Sequence, residues 1–254
     1  MPMPHILVTR PRPQGELLCQ LLSKAGFATT YFPSVVIHPA VNPDKVCAHL
    51  AEITKEVIAI FVSQHAVTHL FSACGDDEVL ERLLNATVIA VGQTTADTLI
   101  AKGVDQVLVP KGVSNSEAVL ALPALKEVKG RSVFVFRGCR GRELIHDELK
   151  ARGAVVKMIT TYERKLPDVK TELLEKSWRD TPFDLVVATS LSNLENLWAM
   201  LSQEGQKCLA HSRVTVMSEK MLTWAKAHGI SQTIKIDSAQ NRDLLNVIKE
   251  HVNG

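Results

Sequence analysis

Ile6-Leu7-Val8-Thr9-Arg10-Pro11 is a short β-branched run that ends on an arginine, and Val133-Phe134-Val135-Phe136-Arg137-Gly138 has the same form. Laying Val8-Thr9-Arg10 over Val135-Phe136-Arg137 sets an offset of 127 residues that continues without a gap. Glu16 then meets Glu143, Leu17 meets Leu144, Leu22 meets Leu149 and Gly26 meets Gly153. Each copy reads as strand, basic turn, helix, glycine, strand. A glycine closing a helical run suits a left-handed C-cap, where a Cβ would clash. A weaker repeat relates Ile60-Phe61-Val62-Ser63 to Val187-Ala188-Thr189-Ser190, and each is followed by a further strand–turn–helix, Val88–Ala101 and Val214–Ala227. The reading is a duplicated unit, and so two related domains.

Working outward, further β-branched runs alternate with amphipathic stretches. Strands are expected at Phe27–Phe32, Val57–Val62, Thr87–Val91, Gln106–Val109, Ala154–Met158, Leu185–Ala188, Val214–Met217 and Thr233–Ile236. Helices are expected at Gln14–Ala25, Ala66–Ala73, Thr95–Lys102, Ser116–Leu122, Arg142–Arg152, Asn193–Leu201, Lys220–His228 and Asn241–Val252. Such alternation implies parallel sheets covered by helices on both faces, the doubly wound α/β class. Two extended segments, residues 33–39 and 160–167, each close on a proline and each follow a copy of the first repeat. Paired as a two-stranded connection, they would make one domain discontinuous.

Composition narrows the function. The 254 residues carry 29 basic and 27 acidic side chains, a net charge of +2, without the basic excess that sequence-independent nucleic-acid binding requires. The longest apolar run, Val57–Val62, falls far short of the roughly 20 residues that span a bilayer. The segment Met1-Pro2-Met3-Pro4-His5 lacks the pattern of a secretory signal. Five scattered cysteines, never spaced C-x-x-C, are the pattern of reduced cytosolic thiols rather than of a disulfide frame or a zinc site. A cytoplasmic protein is expected, with no membrane and no nucleic-acid partner.

The chemistry sits in the turns after strands, where parallel sheets bind ligands. Gly138-Cys139-Arg140-Gly141-Arg142 matches no nucleotide fingerprint, but a strand end, a helix start and Arg137, Arg140 and Arg142 together favour an anion. Ser63-Gln64-His65, Gly92-Gln93-Thr94-Thr95, Ser190-Leu191-Ser192 and Met217-Ser218-Glu219 each place a hydroxyl after a strand. Each is also an ordinary helix N-cap. Four such turns on two sheets would line a cleft with hydroxyls and amides, which suits a polycarboxylate. His65 and His69 stand four apart on a helix, but no further ligand completes a metal set, so surface histidines are expected. Tyr162, one of two tyrosines, lies in an extended segment where its phenol can face a ligand.

These residues together resemble the uroporphyrinogen-III synthase family. The resemblance rests on the order and spacing of Ile6–Pro11, Phe61-Val62-Ser63-Gln64-His65-Ala66-Val67, Val91-Gly92-Gln93-Thr94-Thr95-Ala96, Arg137-Gly138-Cys139-Arg140-Gly141-Arg142-Glu143 and Thr161-Tyr162-Glu163. It covers nearly the whole chain. It implies an α/β fold of two flavodoxin-like, doubly wound parallel-sheet domains joined by a two-stranded β linker. One domain would comprise residues 1–35 with 167–254 and the other 41–160, with linkers at 36–40 and 161–166. The implied activity is that of a cyclising hydro-lyase. Hydroxymethylbilane would lose water, invert its D pyrrole through an azafulvene and a spiro-pyrrolenine, and close as uroporphyrinogen III, with no metal or organic cofactor. The resemblance makes Tyr162 the catalytic candidate, assisting departure of the hydroxyl. It makes Arg10, Ser63, Gly92, Thr94, Thr95, Gly138, Arg142, Ser190, Ser192 and Ser218 substrate-binding candidates. A monomer is implied, in transient contact with hydroxymethylbilane synthase. One departure stands out: many members carry G-P-T-T-A where this chain has Met217-Ser218-Glu219-Lys220-Met221, so Ser218, backbone amides and Lys220 would replace two threonines. The rival reading is a two-domain binding protein or sensor for a small polycarboxylate, without catalysis.

Overall fold

In the computed structural model, residues 3–53, 56–112, 114–139 and 143–252 are described. Among these residues ten strands follow one another as β1 (His5–Val8), β2 (Ala28–Tyr31), β3 (Val36–Pro39), β4 (Ile58–Phe61), β5 (Thr87–Ala90), β6 (Ser132–Gly138), β7 (Val155–Lys165), β8 (Leu185–Val187), β9 (Val214–Val216) and β10 (Thr233–Lys235). The helices are α1 (Gln14–Lys24), α2 (Pro43–Leu50), α3 (Gln64–Cys74), α4 (Asp76–Leu84), α5 (Gln93–Ala101), α6 (Ser116–Leu120), α7 (Leu144–Ala151), α8 (Glu172–Asp180), α9 (Leu191–Met200), α10 (Gln203–His211), α11 (Glu219–Ala227) and α12 (Asn241–Val252). The chain divides into two compact units, Met1–Val36 with Lys165–Gly254 and Ile37–Arg164.

The first unit holds a parallel sheet in the order β10-β9-β8-β1-β2. Numbered along its own chain, this is the 2-1-3-4-5 order of flavodoxin-like folds, with the topological switch between β1 and β8. The second unit holds the order β3-β7-β6-β4-β5, with the β7–β6, β6–β4 and β4–β5 pairs parallel. Beyond β5, Leu108 forms a parallel bridge with Ile89. The expected strand Gln106–Val109 shrinks to that bridge. If β6 is counted as the first strand of the copy, the order is again 2-1-3-4-5, and the switch lies between β6 and β4. The duplication read from the sequence is therefore a duplication of topology.

Strand periodicity builds the layers, because successive side chains point to opposite faces. On β4 and β6, Ala59, Phe61, Phe134 and Phe136 join one core with α3 and α5, while Ile58, Ile60, Val133 and Val135 join another with Ile145 and Leu149 of α7. In the first sheet, Leu7 and Val186 face Leu194 and Leu197 of α9, and Ile6, Val8 and Val187 face Leu18 and Leu22 of α1 with Leu244 and Ile248 of α12. Gly26, Gly103, Gly153 and Gly229 close helices at φ between 79° and 94°, the left-handed region in which glycine alone is unstrained.

Three features differ from the sequence expectation. Helices α2, α4, α8 and α10 have no counterpart in it. The segments Ala154–Met158 and 160–167 merge into the single eleven-residue strand β7. Cys47 of α2 and Cys74 of α3 form a disulfide, against the expectation of reduced thiols throughout. They lie 27 residues apart in sequence, and only the packing of α2 on α3 brings them together.

Candidate active site

The carboxyl end of the second sheet, at its β4–β6 switch, opens into a pocket of about 230 Å³. Its lining includes Val62 and Ser63 after β4, Arg137 and Gly138 at the end of β6, and Tyr162 and Arg164 on β7. A break in strand register aims Tyr162. Arg137 is opposite Thr160, but Gly138 is opposite Tyr162, so Thr161 is an extra residue at that step. A bulge of this kind turns the following side chain to the other face. Tyr162 thus shares a core with Ile159, three residues earlier, where a regular pleat would separate them. Gly138 makes the room: a Cβ there would come within 2.8 Å of the Tyr162 ring.

Only 3% of Tyr162 is exposed. Its phenolic oxygen accepts a 3.0 Å hydrogen bond from Ser63 Oγ, which in turn accepts from the Ala66 N–H as the N-cap of α3. With Ser63 donating, the phenol proton is free for another acceptor. The ring also has His65 at 5.6 Å and His69 at 6.1 Å between centroids, and the Arg164 guanidinium at 5.9 Å from its centroid. The two histidines are therefore half-buried neighbours of Tyr162 rather than surface residues. Burial above all, then the charges of Arg164 and His69, pushes His65 down to about 4. Burial and His38 lower His69 as well. Both imidazoles are held toward their neutral form, and among the described residues the cationic side chains that line the pocket are Arg137 and Arg164. Arg137 is tied down, with Nη1 on Glu143 Oε1 at 2.8 Å and Nε on the Gly138 carbonyl at 3.1 Å.

The remaining candidates lie elsewhere on the two edges. Gly92 precedes α5 without a side-chain cap, Thr94 is exposed, and Thr95 is 5% exposed in the first turn. None of the three lines the pocket. Arg142 lies outside the described residues. In the first unit, Ser190 caps α9 through the Asn193 N–H and meets Ser192 Oγ at 3.2 Å, and Ser218 caps α11 through the Met221 N–H. Capping thus explains Ser63, Ser190 and Ser218, but not the Gly92 turn. Arg10 is 7% exposed at the end of β1, with Nη1 on Asn241 Oδ1. Sequence reasoning missed the role of His65, His69 and Arg164 around the phenol. The four-residue spacing of the histidines was the available signal, but it gives a shared helix face without saying what that face meets.

The family model described as "Uroporphyrinogen-III synthase HemD" matches residues 16–245. The uroporphyrinogen-III synthase of Escherichia coli (strain K12) is 32% identical over 246 residues, 96% of this chain and 99% of that protein. Among solved structures, a mutant uroporphyrinogen III synthase from the extremely thermophilic bacterium Thermus thermophilus aligns with a TM-score of 0.65 at 18% identity, over 98% of this chain and 99% of the other. The synthetase from Helicobacter pylori 26695 aligns with 0.62 at 14% identity, over 98% and 99%. These two likenesses concern the fold, which they share with the two-sheet α/β architecture described above.

Proposed function

The chain belongs to the uroporphyrinogen-III synthase family, and on that footing we propose that it cyclises hydroxymethylbilane to uroporphyrinogen III with Tyr162 assisting loss of the hydroxyl. In this reading the C–O bond of the hydroxymethyl group breaks. The Tyr162 phenol gives its proton to the departing oxygen, so water leaves and an azafulvenium cation and a phenolate remain. Ring closure through the inverted D pyrrole restores the lent proton when the final pyrrole carbon is deprotonated. The observation that carries this reading is the pairing at the pocket: Tyr162 accepts from Ser63, and its own proton has no partner among the described residues.

Open tetrapyrrole can close without inversion, so the enzyme's task is largely to fix geometry. Carboxylates are abundant on the substrate, and Arg164 and the backbone amides at helix starts suit them, while Arg137 is already paired with Glu143. A pocket of about 230 Å³ is small for a drug-sized ligand, for which about 300–1,000 Å³ is usual, so it would take one pyrrole and its acid side chains. Gly92, Thr94, Thr95, Ser190, Ser192, Ser218 and Arg10 are then proposed donors to the other carboxylates. No described helix is long and apolar enough to cross a membrane. The test is a coupled assay in which hydroxymethylbilane is generated in place and the oxidised products are separated. Predominant isomer III is expected, and isomer I at the protein-free level from folded protein overturns the reading.

A further inference from the structure

Arg10 and Arg137 occupy the same place in the two copies, the end of the first strand of the flavodoxin-like order, and both are 7% exposed. The second unit neutralises its arginine. Arg137 Nη1 meets Glu143 at 2.8 Å and Nε meets the Gly138 carbonyl at 3.1 Å. Glu16 stands where Glu143 stands in the repeat, but it pairs with Arg12 at 2.8 Å on the surface. Among the described residues Arg10 is left with one neutral side-chain partner, Asn241 Oδ1 at the start of α12. Its Nε is buried and has no hydrogen-bond partner among the described residues. No carboxylate among the described residues pairs with it. Burial alone lowers its pKa, to about 10.

A buried, unpaired guanidinium is a costly arrangement that a folded chain retains only if something else completes it. We propose that Arg10 is an anion subsite left open in the first unit, where a ligand carboxylate takes the position that Glu143 holds against Arg137. Asn241 orients the guanidinium: its Nδ2 donates to the Gln14 carbonyl at 3.1 Å, while its Oδ1 holds Arg10 Nη1. The first turns of α1 and α12 meet at this point, and the free N–H groups of helix starts add positive potential. The identity of the carboxylate as one of the substrate's rests on the function proposed above, whereas the charge argument stands without it.

The test uses uroporphyrin, a stable octacarboxylate, as probe, and needs no turnover. Arg10→Met is expected to unfold in urea at a midpoint no lower than that of the unsubstituted protein, and to bind uroporphyrin at least tenfold more weakly by fluorescence titration. Arg10→Lys, which keeps the charge, is expected to stay within about threefold. Arg137→Met is expected to lose stability, because it breaks a satisfied pair. Binding by Arg10→Met equal to that of the unsubstituted protein overturns the proposal. Should Arg10→Met fail to fold, the Arg10 Nε–H resonance in the unsubstituted protein decides. It shifts on saturation with uroporphyrin if the subsite is real, and an unmoved signal overturns it. Arg10-dependent binding together with no isomer III would overturn the proposed reaction and leave the subsite standing.

Discussion

Ser63 Oγ lies 3.0 Å from the phenolic oxygen of Tyr162, with the serine as donor and the tyrosine as acceptor. The direction matters, because Ser63 Oγ also accepts from the Ala66 N–H, so its own proton points away from the helix toward the phenol. Ser63 therefore positions the group that would give up a proton. Tyr162→Phe is expected to lower kcat by roughly 100-fold, the low end of what a positioned proton donor contributes. It should cost only about 1 kcal/mol of stability for the lost hydrogen bond. Ser63→Ala is expected to cost about 1 kcal/mol through the lost cap and to lower kcat less than Tyr162→Phe. Steady-state kinetics with urea unfolding on both variants checks the order. A larger kcat loss for Ser63→Ala would reverse the roles.

Gly138 tests the same geometry from the opposite strand. Its backbone is not in the left-handed region, so alanine there meets no conformational penalty, and the clash with the Tyr162 ring at 2.8 Å acts alone. The ring is flanked by His65 and His69 and has little room to retreat. Gly138→Ala is expected to destabilise the protein by about 1–3 kcal/mol, as overpacking does, and to lower kcat as the phenol moves off its position. Unchanged kcat in a folded variant would show that the ring's placement does not govern the reaction.

The sheets and the duplication were legible because they depend on local signals. Unbroken apolar runs on strands such as Ile58–Phe61 and the closing glycines Gly26 and Gly153 recur at a constant offset. The four unexpected helices offer much less pattern. Val46 and Leu50 are the buried pair of α2, Val79 and Leu83 that of α4, Leu174 and Trp178 lie in α8, and Gly205 and Leu209 in α10. A single i,i+4 pair falls below what a periodicity window detects. Tyr162 was legible by resemblance, but its environment was not. The face it occupies depends on the extra residue Thr161, and the pairing of β7 with β6, which creates that bulge, is a long-range event. The Arg10 asymmetry was hidden in the same way, since the repeat aligns Glu16 with Glu143 without revealing that Glu16 turns to Arg12.

His65 gives the second unit a pH dependence whose sign follows from its environment. Burial, Arg164 and His69 depress its folded value to about 4, against 6.5 for the free side chain. Above pH 6.5 the imidazole is neutral in both states and has no effect. As pH falls from 6.5 toward 4, only the unfolded chain takes up the proton, so stability is lost across that window and the loss levels off below pH 4. The full loss is about 3 kcal/mol. Urea midpoints measured from pH 7.5 to 4 on the unsubstituted protein and on His65→Gln should differ in slope, the variant being flatter by one proton. Parallel slopes would show that His65 titrates normally.

Cys74 is the last residue of α3, the helix that carries Ser63 as its cap and His65 and His69 beside the phenol. The Cys47–Cys74 bridge therefore ties the helix beneath the pocket to α2. Closing a loop over a sequence separation of 27 is expected to add about 3–4 kcal/mol by restricting the unfolded chain. The denatured, unreduced protein should then show three reactive thiols, Cys19, Cys139 and Cys208, and five after reduction. Reductant should lower the urea midpoint of the unsubstituted protein. It should leave the double variant Cys47→Ser with Cys74→Ser unchanged at an already lowered midpoint. Activity should fall much less than stability, because Ser63 and Tyr162 are held by their own hydrogen bonds at the far end of α3. Five thiols before reduction would remove the bridge, and the α2–α3 packing would then have to hold that helix unaided.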